Sequence, residues 1–125
     1  MLDTTAIDAW LEQYRHAWKT DAEEDVAWLF TGDVRYFTAP YREPLTGKDA
    51  VVEYWLGEKE SGIPWDFDYE VLAREGDLFV VRATTRYPEG TGDADGPEVF
   101  RNLWLVTLAE DGRAREFIEY YMLEA

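Results

Sequence analysis

Apolar residues recur at Ile7, Trp10, Leu11, Tyr14 and Trp18. Spacings of three and four put them on one face of a helix over residues 5–19. Thr20 and Asp21, followed three residues on by Glu23 and Glu24, have the pattern of a capping box. It is expected to open a second short helix that runs to about Phe30 and buries Val26, Leu29 and Phe30. Gly32-Asp33 interrupts the pattern, and Val34 to Thr38 alternate as a strand. Pro40 and Pro44 mark a loop. Thr46-Gly47-Lys48-Asp49 opens a third helix through about Glu60, stopped by Ser61-Gly62 and Pro64.

From Trp65 onward the period becomes that of a strand. Trp65, Phe67, Tyr69 and Val71 alternate with Asp66, Asp68, Glu70 and Leu72, and Glu75-Gly76-Asp77 reads as a hairpin turn. Leu78 to Tyr87 places Phe79, Val81, Ala83, Thr85 and Tyr87 on one face, with Val80, Arg82, Thr84 and Arg86 on the other. Pairing these two strands sets Arg82 and Arg86 beside Asp66, Asp68 and Glu70 on an outer surface. Residues 88–97 read as loop. Glu98 to Leu108 and Arg113 to Met122 read as two long strands joined at Glu110-Asp111-Gly112. Three helices with one early strand, then a four-stranded antiparallel meander, make an α+β chain.

The last two strands are apolar on both faces. Phe100, Trp104, Val106, Phe117 and Tyr121 share one, while Leu103, Leu105, Ile118, Tyr120 and Met122 share the other. An antiparallel sheet ordinarily leaves one face wet, and no helix remains to cover the second. A homodimer packed through the outer sheet face is therefore expected.

Composition narrows the partners. The 125 residues include 12 basic and 27 acidic ones, a net charge of −15. At ~150 residues per domain the chain is expected to be one domain over 1–125. Nucleic acids and anionic membranes both demand clustered Lys and Arg; none is present, so neither is an expected partner. Absence of cysteine removes a disulfide framework and a thiolate nucleophile. No basic segment precedes an apolar run at Met1-Leu2-Asp3-Thr4-Thr5, and no apolar stretch approaches the ~20 residues of a membrane span. A soluble cytoplasmic protein is expected.

The order of elements, with several motifs, resembles the nuclear-transport-factor-2-like superfamily in its SnoaL-like branch. The matching pieces are Tyr14-Arg15-His16-Ala17-Trp18, Trp28-Leu29-Phe30 before the Asp33 strand, and Glu43-Pro44-Leu45-Thr46-Gly47. Asp111-Gly112-Arg113 followed by Glu116-Phe117-Ile118-Glu119-Tyr120-Tyr121 also fits. The resemblance spans nearly the whole chain. It implies a curved antiparallel sheet wrapped around the three N-terminal helices as a cone with a deep apolar pocket.

The superfamily holds enzymes, transport adaptors and binding domains, so the pocket residues must decide function. Against ketosteroid isomerase, Tyr14 falls on the tyrosine donor, but Thr38 falls on the base and Trp104 on the second donor. Neither replacement is an acid, so that isomerisation is not expected. Against limonene epoxide hydrolase, Tyr36 and Glu119 match, Thr38 replaces an asparagine, and Thr85 and Ala83 stand where an acid and an arginine belong. SnoaL-like polyketide cyclases are thought to use one pocket carboxylate as acid and base, and Glu119 shares a face with Phe117 and Tyr121. Desolvation there is expected to raise its pKa into a useful range.

Glu119 and Tyr14 are thus the candidate catalytic residues. Trp18, Tyr36, Thr38, Trp55, Phe67, Thr85, Asn102, Trp104, Phe117 and Tyr121 are the candidate ligand contacts, and Trp18, Trp55, Trp65 and Trp104 are large enough to stack a planar ligand. His16 lies opposite Tyr14 around its helix and reads as a surface residue. Asp93-Ala94-Asp95-Gly96 resembles a calcium loop only at its start, because Trp104 occupies the closing position. No phosphate, dinucleotide, flavin or haem motif is present, so no cofactor or metal is expected. Three readings stay open: a cofactor-free lyase, isomerase or cyclase acting on a neutral apolar cyclic substrate; a non-catalytic domain binding a small hydrophobic molecule; and a dimeric interaction module.

Overall fold

A computed structural model describes residues 4–20, 22–57, 65–90 and 96–124. The elements are α1 (Thr5–Thr20), α2 (Glu23–Trp28), β1 (Phe30–Phe37), β2 (Leu45–Thr46), α3 (Lys48–Gly57), β3 (Asp66–Glu75), β4 (Leu78–Tyr87), β5 (Glu98–Leu108) and β6 (Ala114–Leu123). They form three helices and one open six-stranded sheet in the order β2-β1-β6-β5-β4-β3. The fold is α+β, of nuclear-transport-factor-2 type.

The meander from β3 to β6 is antiparallel throughout, as the alternation predicts. The sheet as a whole is mixed, because β1 pairs parallel with β6. Alternation tells which side chains share a face but not which strand lies alongside, so this pairing had no signal in the pattern. The Arg35–Glu116 ion pair crosses the same seam.

The second helix ends at Trp28 rather than near Phe30, and β1 already runs from Phe30 through Gly32-Asp33, because Phe30 packs into the core as a strand residue. Local chemistry departs from the sequence reading at two joints besides. The capping box is not formed: α1 continues through Thr20, and α2 starts from Ala22 with no side-chain cap. Thr20 Oγ1 instead donates to Asp25 Oδ2 at 2.8 Å and accepts from the Ala22 N–H at 3.3 Å. The second joint precedes α3, where Leu45 and Thr46 form β2 against Tyr36 and Arg35. Gly47, at a φ of +92°, then turns the chain into the helix. Its N–H donates to the Val34 carbonyl at 2.8 Å. The expected continuation of α3 to Glu60, its stop at Ser61-Gly62 and Pro64, Asp21 of the capping box and residues 93–95 lie outside the described residues.

The α2–β1 junction is pinned at one carbonyl. Leu29 O accepts from Trp10 Nε1 at 2.9 Å and from the Ala114 N–H at 2.8 Å, joining α1, β1 and β6. The apolar face of α1 (Ile7, Trp10, Leu11, Tyr14, Ala17) packs in one hydrophobic cluster with Phe79, Val81, Trp104, Val106 and Phe117 of the sheet. Outside, Arg82 meets Glu70 at 2.8 Å and Arg86 meets Asp68 at 2.6 Å, as expected. Asp66 turns instead to Arg15 Nε at 3.1 Å. That guanidinium also donates to the Phe67 carbonyl at 2.7 Å and covers the Phe67 ring, tying α1 to β3. Among the described residues no helix is long and apolar enough to cross a membrane.

Candidate active site

Between α1 and the inner face of the sheet a cavity of about 180 Å³ remains open. Tyr14 and Trp18 of α1 form its roof. Trp65 and Phe67, Thr85 and Tyr87, Phe100, Asn102 and Trp104, and Glu119 and Tyr121 line the walls from the successive strands. A second lobe of about 420 Å³ is lined by Tyr14, Trp18, Tyr36, Thr38, Ala39, Arg42, Tyr54, Tyr87, Glu119 and Tyr121. Five residues belong to both lobes, Tyr14 and Glu119 among them, so these two stand at the junction.

The pleat brings Glu119 there. Phe117, Glu119 and Tyr121 alternate onto the inner face of β6, and the register sets them opposite Val106, Trp104 and Asn102. Asn102 is diagonal to Glu119 and buried. Thr85 Oγ1 donates to Asn102 Oδ1 at 2.9 Å, which turns the amide so that Nδ2 faces Glu119 Oε2 at 3.5 Å. That last distance is the long limit of a hydrogen bond, so the amide orients the carboxyl more than it holds it.

Glu119 as a residue is half-buried, with its carboxyl at the enclosed end. Removal from water pushes its pKa up to about 8; Asn102 and the Trp104 indole oppose this but do not prevail. Trp104 Nε1 exerts that influence without the geometry of a formed hydrogen bond, since the atom is buried and unpartnered. Burial raises both phenols above the ordinary tyrosine range, and the nearby Glu119 charge adds to it; for Tyr14 the charge of Tyr36 contributes more than that of Glu119. At neutral pH the site therefore presents a carboxylic acid and two neutral phenols.

Eight of the residues expected at the site line the inner lobe: Glu119, Tyr14, Trp18, Phe67, Thr85, Asn102, Trp104 and Tyr121. Tyr36 and Thr38 line the outer lobe. Trp55 and Phe117 line neither and stand behind the wall. Trp55 stacks on Trp18 with ring centroids 4.3 Å apart, and Phe117 stacks beneath Tyr36 at 4.9 Å and Tyr14 at 5.9 Å. Both are core supports, buried under the rings that do reach the cavity.

Several lining residues were not singled out from the sequence. Tyr87 and Phe100 were legible, since they share a face with Thr85 and Trp104. Tyr54, Ala39 and Arg42 were not, because the loop after β1 has no periodicity and α3 has only a weak apolar stripe. Among the described residues no three His, Asp or Glu side chains cluster in a way that holds a metal.

The chain belongs to the SnoaL-like domain family, whose model matches residues 11–117. Many solved structures are similar to it, and two of them share its fold over nearly the whole chain. One is a protein of unknown function with a cystatin-like fold from Methylobium petroleophilum PM1, at 18% identity and a TM-score of 0.71, covering 99% of this chain and 80% of that one. The other is a ketosteroid isomerase-like protein from Erwinia carotovora atroseptica SCRI1043, at 21% identity and a TM-score of 0.67, covering 94% and 95%. Comparison with the curated proteins finds no match.

Proposed function

We propose that the chain is a cofactor-free lyase, isomerase or cyclase that moves protons on a small, cyclic, largely apolar molecule, with Glu119 as acid and base and Tyr14 or Tyr36 as hydrogen-bond donor. The observation that carries this is Glu119 itself, a lone carboxyl at the junction of two aromatic lobes with its pKa pushed up to about 8. A group titrating near the working pH is available in both forms, which general acid–base catalysis requires. Thr38 and Trp104 supply no second acid, so one carboxyl must serve in both directions.

A ring closure meets that demand. The ionised form of Glu119 takes a proton from carbon next to a carbonyl. The resulting enolate attacks a second carbonyl of the same molecule, forming the carbon–carbon bond. Glu119 then returns its proton to the new alkoxide. A neutral phenol at Tyr14 or Tyr36 donates to the enolate oxygen meanwhile. Trp18, Trp65, Phe67 and Trp104 hold the rings in place and exclude water.

A non-catalytic binding domain is the second reading, favoured by the same aromatic walls and by the orientation of Glu119 by Asn102, which Thr85 fixes in turn. Tryptophan-fluorescence titration with steroids, terpenes, aromatic polyketides and fatty acids identifies the ligand class, because Trp18, Trp65 and Trp104 line the cavity. Saturable quenching by one class is expected, and flat traces across the panel contradict a ligand cavity. With that class in hand, Glu119→Gln separates the readings. Lost turnover with retained binding supports catalysis, and undiminished turnover removes Glu119 from the mechanism.

A homodimer through the outer sheet face accompanies either reading. Tyr120 is 41% and Met122 71% exposed there, beside a groove that includes Tyr41 and Leu103. The flanking pairs Arg82–Glu70, Arg86–Asp68 and Arg101–Glu124 neutralise one another within the chain. Two copies of a strongly acidic protein can therefore meet at this patch with little repulsion.

A further inference from the structure

Among the described residues, Glu119 and Arg42 are the side chains lining either lobe that can carry a formal charge near neutral pH. Arg42 lies in the loop between β1 and β2, whose turn is closed by its own N–H donating to the Ala39 carbonyl at 3.2 Å. Its guanidinium stands over the Tyr41 ring at 5.6 Å. It also interacts with the Tyr41 hydroxyl, and Arg42 lines the outer lobe together with Tyr54 and Tyr121.

The charge is uncommitted. Arg15, Arg35, Arg82, Arg86, Arg101 and Arg113 each lie against a carboxylate. Arg42 has no carboxylate partner among the described residues, in a chain with 27 acidic residues to 12 basic ones. A fork of N–H donors at the lip of a cavity, with Tyr41 beside it and no carboxylate held, suits a planar anion.

The inner lobe fixes the other end of the ligand. An apolar cavity of roughly 150 Å³ holds one benzene ring, and the inner lobe has about 180 Å³ among Trp18, Trp65, Phe67 and Trp104. One ring fills it. A substituent on that ring can run past Glu119 into the outer lobe, toward Arg42.

We propose that the ligand is an aromatic carboxylate, its ring in the inner lobe and its carboxylate on the guanidinium of Arg42. This rests on the small-molecule reading above and names the ligand class within it. It departs from the expectation of a neutral ligand, which took Glu119 as charged and repelling anions. Protonated Glu119 adds no negative charge to the cavity, and its O–H becomes a donor to the ligand.

Calorimetric titration at pH 7 with trans-cinnamate and its neutral isostere trans-cinnamamide tests the proposal. The wild-type protein is expected to prefer cinnamate by about tenfold, the worth of one charge-assisted hydrogen bond at a partly open site. Arg42→Gln, on an exposed loop, is expected to bring the two affinities together by weakening cinnamate. Equal binding of both by the wild type, or a preference that survives in Arg42→Gln, overturns the role of Arg42. If neither binds while another class from the fluorescence panel does, the carboxylate is overturned and the cavity reading stands. If nothing binds at all, both fail.

Discussion

Glu119 carries the proposed chemistry of this site, and its proton also bears on stability. Its folded-state pKa of about 8 lies above the ordinary 4.5. Between those values the folded chain keeps a proton that the unfolded chain has lost. The stability linked to that proton is therefore complete below about pH 4.5 and is lost as pH rises through about 8. Glu119→Gln lacks this dependence. Thermal unfolding is expected to show wild type and variant melting together at pH 4.5 and the variant melting several degrees higher at pH 9. A gap equal at both pH values would mean that Glu119 titrates as an ordinary carboxyl. Phe117 answers differently, since it is fully buried beneath Tyr14 and Tyr36. Phe117→Ala should cost about 3–5 kcal/mol in denaturant unfolding, mostly by opening a void in the stack.

At the scale of elements, the long strands and α1 were legible because each repeats one period over ten or more residues. Shorter or non-local features were not. A two-residue strand such as β2 has no period to detect, and the parallel β1–β6 seam is a contact between distant segments. The capping box misled because Thr20 is still helical at the end of α1. The β3–β4 hairpin was read correctly from Gly76, which adopts a φ of +58° with open space around it. Only backbone conformation resists substitution at such a position. Gly76→Val should thus cost about 1–2 kcal/mol, while Gly76→Asn should cost less, since Asn visits the left-handed region more readily. Urea unfolding of the two variants checks the order, and equal losses would mean that packing rather than φ sets the requirement.

For the molecule as a whole, strand parity was enough to choose most of the cavity wall. Thr85, Asn102, Trp104, Glu119 and Tyr121 all follow from it. Depth within the wall was not legible, which is why Trp55 and Phe117 had to be moved behind it. The same parity exposes the outer face and predicts its cover. Met122→Asp, on that face and 71% exposed, should convert a dimer to a monomer in sedimentation equilibrium while the circular dichroism stays unchanged. A wild-type protein that sediments as a monomer at micromolar concentration contradicts the assembly and leaves the cavity untouched.

What joins cavity, fold and proposed chemistry is a single carboxylic acid that keeps its proton at neutral pH. Carbon-13 NMR of side-chain-labelled glutamate, with the Glu119 resonance assigned by its loss in Glu119→Gln, reads that proton directly. The account predicts a carboxyl carbon that titrates near pH 8, well separated from the surface glutamates. A Glu119 resonance that titrates with the rest, near 4.5, would contradict it: the site would then hold a fixed negative charge and no acid.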